Sequence, residues 1–146
     1  MKRIFLSIIS IIICFTTYAQ SNSSAILGDW YNQEKDAIIN IYEEEGKYFG
    51  KITWMLNPLD ENGKAKTDPL NPDETLRSRS RMGMVIMYNF IYEDSNVWDD
   101  GNIYDPKSGN EYSGTMTLTS ENSLDLRGYV GIPIFGRTST WSRKVD

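Results

Sequence analysis

Three arginines, Arg77, Arg79 and Arg81, alternate with serines near the middle of this chain. A guanidinium presents a planar fork of donors that matches a carboxylate or phosphate bidentately, so three on one segment can clamp an acidic group. The same side chains can instead pair with Asp60, Asp68 and Asp73 and fasten their own segment to the rest of the domain. Asp99, Asp100 and Asp105 offer the oxygen ligands calcium takes, yet their spacing fits no calcium loop. Asp105-Pro106-x-x-Gly109 reads more simply as a turn, and no metal ligand is assigned. Histidine is missing from all 146 residues, which removes the commonest general base and excludes Ser–His and Cys–His pairs. Lys51 is a candidate base only if it is buried; beside Tyr48 and Trp54 on a strand it can equally snorkel to solvent. Hydrolysis by paired carboxylates needs one acid buried enough to raise its pKa, and every acidic residue here falls in a turn or on a polar face. The residues weigh against an enzyme without excluding one, and a hydrolase of unrecognised type using Lys51 or an Asp stays open as an alternative; no catalytic residue and no cofactor is assigned.

Aromatic residues carry the second signal. Trp54, Trp98, Tyr48, Tyr104 and Tyr112 all fall on predicted strands, and an eight-stranded barrel can hold one small ligand. Two readings stand. In one the rings line a hollow that takes a small apolar or amphipathic molecule, with Arg77 or Arg79 meeting its acidic head group. Trp54, Trp98, Tyr104 and Arg127 then complete the binding set. In the other the rings fill the interior, and the domain docks on another envelope protein.

The elements that must position these residues follow from turns and alternation. Lys2 and Arg3, an apolar run from Ile4 to Phe15 and small residues at Thr17 and Ala19 describe a secretory signal peptide over residues 1–19, cleaved after Ala19. The run is shorter than the roughly 18 apolar residues a spanning helix needs. Ile13 before Cys14 argues against a lipid anchor, and cleavage removes the only cysteine. The protein is expected to be periplasmic or extracellular, with residues 20–146 forming one domain. Losing Lys2 and Arg3 takes the formal charge from −5 to −7, which argues against nucleic acid as a partner.

Alternating runs after Gly28, over Ala37–Glu43, Tyr48–Trp54, Gly83–Tyr92, Val97-Trp98, Ile103-Tyr104, Glu111–Thr119, Leu124–Val130 and Arg137–Lys144 are separated by Gly, Pro, Asn, Asp and Ser. About eight strands result, and the fold class is all-β: a single small antiparallel barrel, whose closure removes exposed edges. Ala37, Ile39 and Ile41 share one face, as do Tyr48, Gly50, Ile52 and Trp54. Asp99-Asp100-Gly101 is expected to split the fifth run into two. Asn57 to Arg81 breaks the pattern as one long loop. Within it Asn71-Pro72-Asp73-Glu74 predicts a short helix, capped by Asn71 and ending near Ser78. Such a loop is usually a lid, a binding loop or a plug, and it is expected to cover the barrel mouth and the doubly apolar Gly83–Tyr92 strand.

Gly28-x-Trp30 resembles the opening of lipocalin-like barrels, where the Trp closes the floor beneath an arginine from the last strand. Arg137 and Arg143, which flank Trp141, are both candidates for that arginine. Trp30, Arg137 and Trp141 are accordingly read as structural. More widely, Gly50-Lys51-Ile52-x-Trp54, Asn71-Pro72-Asp73-x-x-Leu76-Arg77-x-Arg79, Gly101-x-Ile103-Tyr104-Asp105-Pro106, Arg127-Gly128-Tyr129-x-Gly131 and Gly136-Arg137-Thr138-x-x-Trp141 resemble the exported bacterial family called domain of unknown function 2147. The resemblance runs from about Ile26 to Arg143; Ser80 stands where the family usually has Pro. It implies a lipocalin-like barrel in the bacterial envelope, and it supplies no catalytic residue to carry over.

Overall fold

In the structure, a computed structural model, residues 22–145 are described; the expected signal peptide and Cys14 lie outside them. Eight strands run in chain order around a closed barrel: β1 Gly28–Tyr31, β2 Ala37–Glu44, β3 Lys47–Met55, β4 Val85–Tyr92, β5 Val97–Asp105, β6 Asn110–Ser120, β7 Ser123–Tyr129 and β8 Arg137–Arg143. Every neighbouring pair is antiparallel. β1 closes on β8 through Trp30 opposite Arg143 and Tyr31 opposite Ser142. The expected all-β, lipocalin-like barrel is the fold observed.

One end of the barrel is solid. Trp30, Phe90 and Trp98 are fully buried there with Ile41, Met116 and Leu124. Phe90 lies flat against two glycines of adjacent strands. A Cβ at Gly101 would fall 2.3 Å from its ring, and one at Gly114 2.9 Å from it. Glycine is therefore needed at these two places to admit the ring, which buries the kind of area worth about 1.5–3 kcal/mol per large apolar side chain. The floor is sealed by Arg143. Its guanidinium sits 4.2 Å from the Trp30 ring and donates to the carbonyls of Ala25 (2.6 Å), Leu27 (2.9 Å) and Glu121 (2.8 Å). Arg137, the other candidate, pairs with Gly128 at the opposite end of β8 and is exposed. Register decides between them: only the β8 residue opposite Trp30 can cover it.

Bulges correct two expectations, and exposure corrects a third. Ile38 pairs with Trp54 but Ile39 with Ile52, so β3 carries one extra residue and the alternation inverts. Trp54 therefore leaves the face of Ile52 and is 38% exposed, meeting Tyr31 edge-on at 6.4 Å. In β5, Asp99-Asp100-Gly101 forms a bulge with Asp100 at φ 56°, so one strand continues where two were expected. In β4, Val85 and Ile91 stay exposed, so this strand needs no outer cover. The long loop packs instead on the β5–β6 turn, where the Leu70 carbonyl leaves no room for a side chain at Gly109. Its helix is a single 3₁₀ turn, Glu74–Leu76, capped by Asp73 rather than Asn71. Asn71 supports the turn from one step back, accepting from the Asp73 N–H at 2.8 Å.

Candidate functional site

Above the solid floor the barrel is hollow. A cavity of about 870 Å³ opens at the end formed by the β1–β2, β3–β4, β5–β6 and β7–β8 connections. Typical small-molecule sites occupy about 300–1,000 Å³. Side-chain size explains where packing stops. The lower interior carries Trp, Phe and Met, whereas positions higher on the wall carry Ala37, Gly128 and Ser139. Ile39, Leu126 and Trp141 belong both to the core and to the cavity and make its base. Ile52, Ile103 and Tyr112 form the wall. The Trp141 indole N–H donates to Ser139 Oγ at 3.0 Å, so the base presents no unpaired indole donor.

The rim is charged. Lys66, Arg81, Lys107 and Arg137 border it, with Glu34, Asp36 and Asp105. The acids are engaged. Asp36 holds Lys107 at 3.2 Å, Glu34 accepts from Asn32 at 3.2 Å, and Asp105 accepts from Ser108 Oγ at 2.7 Å. A hydrogen bond from Asn32, and then the Lys107 charge, keep the Asp36 carboxyl below its ordinary pKa against the opposing pull of burial. Arg81 donates to the carbonyls of Thr67 (2.7 Å) and Pro106 (3.0 Å) and meets no carboxylate among the described residues. Lys66 and Arg137 have no ion-pair partner among the described residues. An apolar chamber beneath two unpaired cations suits an amphipathic molecule with an acidic head.

The residues singled out from sequence divide sharply. Arg79 is committed to Asp68, which is fully buried: Nη2 lies 3.0 Å from Oδ2. Tyr104 Oη donates to Asp68 Oδ1 at 2.6 Å, Asn71 donates to Oδ2 at 2.8 Å, and the guanidinium lies 5.5 Å from the Tyr104 ring centre. Burial alone would raise the Asp68 pKa, but these three hydrogen bonds and the Arg79 charge together hold it below the ordinary value. Arg77 pairs with Glu74 at 3.2 Å and caps Asn71 O at 2.9 Å, outside the cavity. Arg79 therefore pins its loop to the barrel through Asp68 and the Tyr104 ring, the alternative the sequence left open, whereas Arg77 braces the loop internally.

Arg127 is likewise structural. It donates twice to Pro133 O (2.8 and 2.6 Å), once to Ile134 O (3.3 Å) and once to Thr138 Oγ1 (2.9 Å). Trp98 is sealed in the floor against Tyr48 and Tyr92, and its indole nitrogen meets no protein partner. Tyr104 borders the cavity, with its hydroxyl turned away to Asp68. Trp54 is outside. Lys51 lies exposed, 5.2 Å from the Tyr42 ring centre, and is not the buried base hydrolysis would need. Asp99 accepts from Thr115 at 2.6 Å, and the described residues contain no cluster of three or more His, Cys, Asp or Glu arranged to hold a metal. Lys66 went unnoticed in the sequence because nothing in a polar loop marks which residue turns inward. Gly128 and Ser139, small side chains on an inward face, were the readable trace of the cavity.

The solved structure of HP1028 from the human pathogen Helicobacter pylori, described as belonging to the lipocalin family, superposes with a TM-score of 0.72. Identity is 26%, over 82% of this chain and 83% of that one. No curated protein matches the sequence. The family model described as "Uncharacterized protein conserved in bacteria (DUF2147)" matches residues 28–143, from the glycine opening β1 to the arginine beneath which Trp30 closes the floor, and the chain belongs to this family.

Proposed function

We propose that the protein binds a small amphipathic molecule with an acidic head group, tail down in the barrel, in the cell envelope. The observation that carries the reading is the cavity of about 870 Å³, apolar at its base and bordered by Lys66 and Arg137, which have no counter-ion among the described residues. The lipocalin-like architecture supports small-molecule binding in general. The envelope location rests on the leader signature at residues 1–19. Arg137 and Lys66 take the role that sequence alone had given to Arg77 and Arg79.

A dansyl-labelled undecanoic acid and its uncharged methyl ester test this by fluorescence titration. The wild type binds the acid saturably. Gly128→Leu puts a branched side chain into the wall of the chamber and weakens binding. A Cβ at Gly128 meets Ile103 and Tyr112 at 3.6 Å, ordinary contact that leaves the fold intact, which cooperative thermal unfolding checks. The pair Lys66→Ala and Arg137→Ala weakens the acid about tenfold, a factor equivalent to about 1.4 kcal/mol, and leaves the ester unchanged. A wild type that binds neither probe saturably, or a Gly128→Leu protein that binds as well as wild type, overturns the reading.

A further inference from the structure

Between β7 and β8 the chain runs Val130-Gly131-Ile132-Pro133-Ile134-Phe135 and turns every large apolar side chain out. Val130 is 73% exposed, Ile132 55%, Ile134 74% and Phe135 80%. A loop this apolar needs a reason to be out of the core. Part of its backbone is satisfied within the turn and by Arg127. Arg127 takes the Pro133 and Ile134 carbonyls, and Phe135 and Gly136 N–H close 3₁₀ bonds onto Ile132 and Pro133 (3.3 and 3.0 Å). Gly136 packs so tightly that a Cβ there would sit 2.7 Å from Gly128 O. The segment is thus a braced apolar tip with part of its backbone already paired, which lowers the cost of entry into a poorly hydrated boundary.

Its position gives the occupant. Val130 and Phe135 border the cavity, so the apolar surface of the tip continues into the chamber. Leu56 and Leu59, 59% and 52% exposed, stand on the loop bordering the same mouth. Lys66 and Arg137, without counter-ions among the described residues, flank the opening. The chain as a whole carries −5, so an anionic surface would repel its body and favour approach by the rim, where Lys66, Arg81, Lys107 and Arg137 outnumber Glu34, Asp36 and Asp105. A single convex tip offers little of the shape-matched area, about 800 Å² per partner, that a stable protein interface takes; a fluid lipid boundary needs no matched shape.

We infer that the barrel mouth docks on an anionic lipid surface, with the Val130–Phe135 tip inserted at the headgroup boundary and the rim cations against lipid phosphates. Docking places the open chamber against the bilayer and goes beyond ligand binding; it is read on empty protein and does not depend on the proposed cargo.

Flotation with vesicles of phosphatidylcholine and phosphatidylglycerol at 3:1, and with phosphatidylcholine alone, tests the inference. The purified protein floats with the anionic vesicles, and added salt or removal of phosphatidylglycerol lowers the bound fraction several-fold. The double variant Ile132→Asp with Ile134→Asp, neither residue bordering the cavity, lowers it at least tenfold while dansyl-undecanoic acid still binds in solution. A wild type that stays unbound, a double variant that floats equally, or equal binding to both vesicle types overturns the docking reading. So does a wild-type dimer in analytical ultracentrifugation that the double variant converts to monomer, which would make the tip a contact between copies. Loss of probe binding with flotation intact would instead strike the cargo reading alone.

Discussion

Arg137 and Arg143 are two arginines six residues apart on one strand, and the fold gives them opposite work. Arg143 covers Trp30 and holds three carbonyls that tie Ala25, Leu27 and Glu121 to the floor. Burial pulls its pKa below the usual guanidinium value, yet a guanidinium stays charged throughout the physiological range. Arg137 stands exposed at the mouth. Arg143→Ala is therefore expected to destabilise the fold by about 2–4 kcal/mol, from the lost cation–π contact and the unpaired carbonyls. Arg137→Ala should cost under about 0.5 kcal/mol, as surface substitutions do. Urea unfolding of both variants measures the contrast. Equal midpoints for the two would contradict the roles assigned. The resemblance of Gly28-x-Trp30 to lipocalin-like openings implied an arginine over the floor, but not which one, because that depends on pairing between the first and last strands.

The β3–β4 loop is the element whose role sequence described least completely. Its turn residues and its acidic and basic complement were legible. That Asp68 would be the buried anchor, rather than Asp60 or Asp73, was not, because burial comes from the β5 wall that supplies Tyr104. The anchor has a pH signature. The folded pKa of Asp68 lies below its unfolded value, near about 3.9, so the stabilisation is fully present above that pH and is lost as pH falls through the folded value. We expect the wild type to lose stability below about pH 4, and Asp68→Asn to be destabilised by about 2–3 kcal/mol at neutral pH with a flatter acid limb. Chemical unfolding from pH 7 to pH 2.5 gives both curves. Parallel curves for wild type and variant would remove Asp68 from the account.

At the scale of the molecule, a sealed floor, a chamber and an apolar, cationic rim lie in sequence along one axis, which suits a carrier that loads at a surface. Carriage in the envelope requires export, and the intact mass of protein recovered from outside the cytoplasm is expected to correspond to a chain starting at Gln20. Recovery of the full-length mass in the cytoplasm alone would remove the leader from the argument. The chain's order of polar turns and alternating runs determined the strand count and the antiparallel closed sheet, since these follow from local periodicity and from the need to hide sheet edges, while the lipocalin-like class came from the motif resemblance. The same local rules misplaced Trp54, split β5 and left Arg77, Arg79 and Arg127 as ligand contacts. One extra residue in β3 inverts a face, and a guanidinium goes to whichever acid or carbonyl the fold brings near. Whether the barrel would be filled or hollow was decided only in three dimensions, because an empty volume is a sum over side chains from many strands at one level, and no single strand records it.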